Sequence, residues 1–214
     1  MGQPLAKWTD RGAARRHIRS FRLEIILQSA ARCFNRKGYH ATKMGDIARE
    51  LGVSKAALYY YVESKEDIIF QCEAAALDLA MEGIRIAEGL SEPDDVKLYV
   101  ALRHFIEGMT DRLNGCVVLT EGMLSPGPYR DLVRRRDDYE RRLRKLVEAG
   151  VASGAFAPCD PKMVVLAMLG AMNWIPRWYS PDGERNPKEI GETFARYLVR
   201  GLGQGGFHEH GSAV

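Results

Sequence analysis

Residues Thr42 to Lys65 read TKMGDIARELGVSKAALYYYVESK, and this stretch decides the fold. Thr42 is placed to cap a helix, because a side-chain oxygen there accepts from a free N–H of the first turn. Met44, Ile47, Ala48 and Leu51 then recur at helical spacing. Gly52 ends this helix, since glycine adopts positive φ at least cost. Ser54 caps a second helix, in which Leu58 and Val62 share the inward face. Ser64 opens a third, with Asp67 completing a capping box. Helix, glycine turn, helix is the arrangement whose second helix enters the major groove of DNA.

The second helix is only about two turns long, too short to hold its shape alone. Its outward face carries Lys55, Ala56, Ala57, Tyr59 and Tyr60. Small residues let a backbone approach base edges, and alanine can touch a thymine methyl. Lys55 and Lys65 can reach phosphates, tyrosine hydroxyls donate to phosphate oxygens, and free N–H groups at Thr42 and Ser54 suit anions. The same residues could also belong to an ordinary helical hairpin with half-buried tyrosines.

Charge favours the nucleic-acid reading. Residues 1–45 hold ten Lys and Arg, Lys43 among them, against only Asp10 and Glu24. The front end is therefore +8 in a chain of net charge +3, leaving −5 for the rest. That concentration is the footprint of a nucleic-acid binder. A solubilising tail is the alternative, less fitting so close to a helix-turn-helix.

Residues Ile26 to Ile69 resemble the tetracycline-repressor (TetR) family of transcription regulators. The resemblance rests on Phe34, Gly38-Tyr39, Thr42, Ile47-Ala48, Gly52-Val53-Ser54, Leu58-Tyr59 and Ser64-Lys65-Glu66. It implies DNA contacts from Ser54, Lys55, Ala56, Ala57, Tyr59, Tyr60 and Tyr61, and phosphate contacts from Thr42 and Lys65. Tyr61 stands where the family often has His, and Val62 where it often has Phe. Both fit their positions, which implies altered operator preference or packing and not lost binding.

Other function classes find little support. Cys33, Cys72, Cys116 and Cys159 are scattered and form no C-x-x-C pair, so reduced thiols are expected. His17, His40, His104, His208 and His210 have no metal-like spacing within a helix. No metal or cofactor is expected. Phosphate-binding glycine loop, nucleophile elbow and HExxH are all missing, so an enzyme is not expected. No apolar run of membrane-spanning length and no secretory signal occur, which predicts a cytoplasmic protein.

The remaining chain reads as helices, giving an all-α protein of about nine. Residues 1–18 read as a flexible basic arm, 19–64 as a helix-turn-helix domain, 65–202 as a ligand-binding and dimerisation body, and 203–214 as a flexible tail. The first helix is predicted over 20–37. The fourth runs from Lys65 to about Glu88 and the fifth over Asp94–Leu113. A short helix is expected at 116–124, and the seventh over Tyr129–Ser153. Asp160-Pro161 opens the eighth and Asn186-Pro187 the ninth.

The eighth predicted helix, MVVLAMLGAMNWIPRW, is apolar nearly all round and must be buried on more than one side. The ninth is amphipathic. Trp174, Trp178, Phe194, Tyr197 and Leu198 are the candidate dimer contacts. The family pairs its last two long helices with those of a second subunit, and a two-fold dimer would present two heads to a palindromic operator. These helices could instead simply close the monomer core.

Tyr99, Phe105, Met109, Leu119, Met123, Met168 and Met172 could line an apolar pocket, methionine being adaptable to ligand shape. Plain core packing is the alternative. Residues 173–183 resemble a subgroup of the family that often responds to acyl-CoA thioesters, which implies such an effector. Arg134–Arg136 and Arg141–Arg142 could then hold CoA phosphates, unless they form a solvated charged face. The expected partners are a double-stranded operator, a small-molecule effector and a second copy of the chain, with no membrane. A helical ligand-binding protein without DNA binding is the alternative function.

Overall fold

A computed structural model describes residues 11–113 and 122–203 of the chain. Eight α-helices and no strand occur among them. They are α1 (Arg11–Lys37), α2 (Met44–Glu50), α3 (Lys55–Tyr59), α4 (Lys65–Glu88), α5 (Asp94–Asp111), α6 (Pro126–Ala152), α7 (Pro161–Trp178) and α8 (Pro187–Arg200). The chain divides into two compact units between Ile68 and Ile69, inside the first turns of α4.

The first unit is the three-helix head. α1 begins at Arg11, earlier than the arm-like composition of residues 1–18 suggested. Ala13, Ala14, Arg15 and Arg16 are strong helix formers, and Gly12 costs little at a helix end. The inward stripe of α1 is Ile26, Leu27, Ala30, Ala31 and Phe34, at i, i+1, i+4, i+5 and i+8. It meets Ile47 and Ala48 of α2 and shares the head's core with Leu58 and Val62. Gly52 turns the chain between α2 and α3 with φ +67°, a conformation that strains any residue with a Cβ.

The second unit is the helical body. α5 packs most extensively against α8 and also meets α6, which in turn meets α7. Gly191 of α8 permits the α5 contact: a Cβ there would stand 2.5 Å from Cγ of Glu107 and 3.3 Å from the Arg103 carbonyl oxygen. The core draws Leu98, Leu102 and Ile106 from α5, Leu132, Leu143 and Val147 from α6, and Val165 and Ile175 from α7. Asp160 caps α7 by accepting from the N–H groups of Lys162 and Met163. Asn186 caps α8 by accepting from Glu189, whose carboxylate accepts in return from the Asn186 N–H.

Two further elements differ in extent from the sequence reading. α6 starts at Pro126, because proline is preorganised for a first helical turn. The helix expected at 116–124 lies mostly outside the described residues, and residues 122–124 form a turn. Within the single chain α7 buries one face, through Val165, Met168, Met172 and Ile175. Its opposite side leaves Met163, Leu166, Trp174 and Trp178 exposed within the single chain.

Candidate DNA interface and helical body

α3 is five residues long, and its surroundings hold it in shape. Ser54 Oγ accepts from the Ala57 N–H at 3.1 Å, and Leu58 and Val62 are fully buried. Ser54, Lys55, Ala56, Ala57, Tyr59 and Tyr60 are all exposed. The helix thus turns one anchored edge inward and presents Lys55, Ala56, Ala57 and Tyr59 to solvent. The Lys55 stem crosses Gly45 of α2, where a Cβ would stand 2.7 Å from Cε of Lys55.

Tyr60 and Tyr61 sit at the end of α3 with their rings edge to face, centroids 5.1 Å apart. Tyr61 is half-buried, and its hydroxyl accepts a 3.1 Å hydrogen bond from Arg22 of α1. The Arg19 guanidinium lies 6.0 Å from the Tyr60 ring centroid.

Thr42 has a different place from the one its position suggested. It is fully buried, and its hydroxyl lies 2.8 Å from the Gly38 carbonyl oxygen and 3.2 Å from that of Cys33. Its own N–H donates to Gly38. Lys43 is the N-cap residue of α2 instead, with its N–H donating to Asp46 at 3.0 Å. The Thr42 hydroxyl therefore ties α1 to the α2 approach, and burial takes it off the surface a phosphate could reach. Lys43 is exposed beside it.

Lys65 is likewise engaged. Its ammonium donates to the carbonyl oxygens of Tyr39 at 2.8 Å and His40 at 3.4 Å. It also lies 4.5 Å from the Tyr39 ring centroid, within cation–π range. Tyr39 packs edge-on against Phe34. Two of the three ammonium protons are thus committed to the loop before α2. At the next cap Ser64 Oγ accepts from Asp67, as expected, but the Asp67 carboxylate accepts from the Glu63 N–H, one residue earlier than predicted.

Arg32, Arg36, Lys37 and Arg49 are each matched by a carboxylate. Glu50 pairs with Arg36 at 2.7 Å and Arg32 at 3.7 Å. Asp46 pairs with Arg49 at 3.1 Å and Lys37 at 3.2 Å. The Lys43 N–H bond, then Lys37 and Arg49, bring the Asp46 carboxyl down from 3.8 to about 2.

In the body, Phe105, Met109, Met168 and Met172 are buried as expected of pocket or core residues. Tyr99 and Met123 are half-exposed, and Leu119 lies outside the described residues. Each of the α6 arginines expected to hold CoA phosphates already faces a carboxylate. Arg134 and Arg141 pair with Asp131 and Asp138 on their own helix. Arg142 lies 3.4 Å from both Asp138 and Glu88. Arg135 bonds Asp78 and the Ala74 carbonyl, and Arg136 bonds Glu73 at 2.7 Å. Glu73 is buried, and burial holds its carboxyl above the usual range despite the Arg136 bond. These pairs lock α4 to α6, an arrangement that sequence distance concealed.

Among the candidate dimer residues, Trp174, Trp178 and Tyr197 are exposed, while Phe194 and Leu198 are half-exposed. Trp178 stacks on Phe194 with centroids 5.9 Å apart. α7 and α8 thereby join an uncovered apolar face that also includes Met163 and Leu166. Among the described residues no cluster could hold a metal ion, and no helix is long and apolar enough to cross a membrane. Cys33, Cys72 and Cys159 form no disulfide among the described residues, and the first two are buried.

A three-helix head with a packed core that offers a short exposed helix across a glycine turn is the arrangement of a helix-turn-helix transcription regulator. The chain belongs to the TetR family. Residues 26–72 match the bacterial regulatory proteins of the tetR family, and residues 91–202 match a tetracyclin repressor-like C-terminal domain. The transcriptional repressor KstR2 of Mycolicibacterium smegmatis is 27% identical over 194 residues, covering 88% of this chain and 94% of that one. The TetR-family regulator PfmR of Thermus thermophilus superposes with a TM-score of 0.71 at 30% identity, covering 84% of this chain and 99% of that chain. AibR in complex with isovaleryl coenzyme A and operator DNA gives a TM-score of 0.66 at 25% identity, covering 87% and 100%. These relatives are transcription regulators, not enzymes.

Proposed function

We propose that the protein is a cytoplasmic, homodimeric repressor that binds a palindromic operator through α3 and is released by an apolar small molecule. The exposed row from Ser54 to Tyr60, anchored by buried Leu58 and Val62, is the observation that carries the DNA contacts. Ala56 and Ala57 are the closest-approach positions, with Lys43, Lys55, Tyr59 and Tyr60 contacting the backbone around them.

Dimerisation is supported by the uncovered apolar face of α7 and α8. Large exposed apolar patches mark interaction sites, and the two-fold operation places the same patch on both partners. Trp174, Trp178 and Tyr197 would form its centre.

Buried Met109, Met168 and Met172 with Phe105 support an apolar effector, since methionine repacks around varied shapes. The AibR complex supports a CoA thioester as the first candidate. In this chain, CoA phosphates would have to compete with Glu73, Asp78 and Asp138 for the α6 arginines. An effector releases the operator only by binding the DNA-incompetent form more tightly.

The test is a gel shift on an operator recovered from genomic fragments, titrated with acyl-CoA, the free acid and free CoA in parallel. Release by acyl-CoA alone supports the thioester. Release by the free acid keeps the apolar effector and discards the CoA part. No release and no thermal stabilisation by any of them removes this ligand class.

A further inference from the structure

We infer that the Tyr139 phenol selects the effector, its hydroxyl donating a hydrogen bond to a carbonyl oxygen carried by an otherwise apolar molecule. The inference rests on the apolar-effector reading of the body and names the one polar group that such a molecule must carry.

Tyr139 stands on the inward face of α6, in a stripe whose other buried side chains are Leu132, Leu143, Leu146 and Val147. Only 5% of it is exposed. Its ring centroid lies 6.1 Å from that of Phe105 on α5. Met109 follows Phe105 at i+4, one turn along the same helix. On its other side α6 packs against α7, the helix that buries Met168 and Met172. The phenol therefore belongs to the set of helices that supply the buried methionines.

Its hydroxyl makes no hydrogen bond to any described residue. The other buried polar side chains differ in this respect. Ser29 accepts from Arg32, Thr42 lies against the Cys33 and Gly38 carbonyls, Thr110 donates to the Ile106 carbonyl, and Glu73 accepts from Arg136. Arg103, His104, Glu107 and Glu140 each have one unbonded buried atom, but that atom lies within 3.8 Å of an acidic or basic side chain. Burying a hydroxyl without a partner costs free energy, and folded proteins avoid it. A ligand oxygen that meets the phenol removes this cost.

The chemistry of the donor sets the class of oxygen. Burial pushes the Tyr139 pKa up, so the hydroxyl stays neutral and offers one proton. One neutral donor matches one neutral acceptor. A buried carboxylate would need more partners than a single phenol supplies. A ketone, ester or thioester carbonyl meets the requirement, and a hydrocarbon of the same shape does not.

The experiment uses the full chain and two probes of like shape, benzylacetone and n-butylbenzene, which differ by a ketone carbonyl. Dissociation constants are measured by calorimetry for wild type, Tyr139→Phe and Tyr129→Phe, the last being an exposed tyrosine of the same helix. Wild type should bind the ketone more tightly than the hydrocarbon. Tyr139→Phe should lose about tenfold in affinity for the ketone and nothing for the hydrocarbon. Tyr129→Phe should reproduce the wild-type ratio. Without a probe, Tyr139→Phe should melt at or above the wild-type temperature, since no bond within the chain is lost. A clearly lower melting temperature would show that the hydroxyl serves the fold, and would overturn the inference. An equal ratio of the two affinities in wild type and Tyr139→Phe would also overturn it, while keeping the apolar site. Binding of neither probe to wild type would overturn the apolar-effector reading itself, before any variant is compared.

Discussion

The ammonium of Lys65, the first residue of α4, lies 2.8 Å from the carbonyl oxygen of Tyr39 in the loop between α1 and α2. A residue expected only to touch phosphate is thus also a strut inside the head. Lys65→Met should keep the stem but lose the bonds to Tyr39 and His40. The expected loss is about 1.5–3 kcal/mol of stability, as for hydrogen bonds to a charged group. Binding to operator and random duplex should weaken together. Denaturant unfolding followed by gel shifts checks both, and wild-type stability would remove the strut.

Ser54 holds the first turn of a helix that has only five residues. Ser54→Ala should cost about 1 kcal/mol, the usual range for an N-cap. Ser54→Asp should keep the cap but place a negative charge against DNA. Equal operator affinity for wild type and the aspartate variant would show that this end of α3 is not at the interface.

Asp46 gives the head an acid-sensitive element. Its folded value of about 2 lies below the ordinary 3.8, so the folded state favours the ionised form. The resulting stabilisation is fully present above the ordinary value and is lost as pH falls through about 2. Asp46→Asn should therefore be less stable than wild type at pH 7, with the gap narrowing as pH falls from about 4 towards 2. Urea midpoints across that range test it, and a constant gap contradicts the linkage.

Trp174→Glu and Tyr197→Glu place charges on the exposed α7 and α8 face without touching the monomer core. Each should leave the fold intact, shift the protein towards monomer and weaken operator binding. Sedimentation of wild type at micromolar concentration showing only a 24.0 kDa species would refute the dimer.

Local signals in the sequence foretold most of the head. Gly52, Ser54 and Leu58 stand as their helix and turn chemistry required, whereas α3 ends at Tyr59 and Val62, expected within it, is buried just beyond its end. Asp160-Pro161 and Asn186-Pro187 likewise open α7 and α8. What escaped was long-range. Arg22 meets Tyr61, Lys65 meets Tyr39, and Arg136 meets Glu73 across 39, 26 and 63 residues. No periodicity encodes such pairings, because they depend on how helices cross. Thr42 was misread for a related reason. Its type suited a cap, but the approach of α1 buried it and left Lys43 to the cap position.

Selection of bound duplexes from a random library, run in parallel with wild type and Ala57→Gln, tests the central claim most directly. The account predicts a palindromic motif for wild type and a changed base preference within each half-site for the variant. A folded wild-type protein that enriches no motif, or a variant that enriches the wild-type motif unaltered, would contradict recognition by the exposed face of α3.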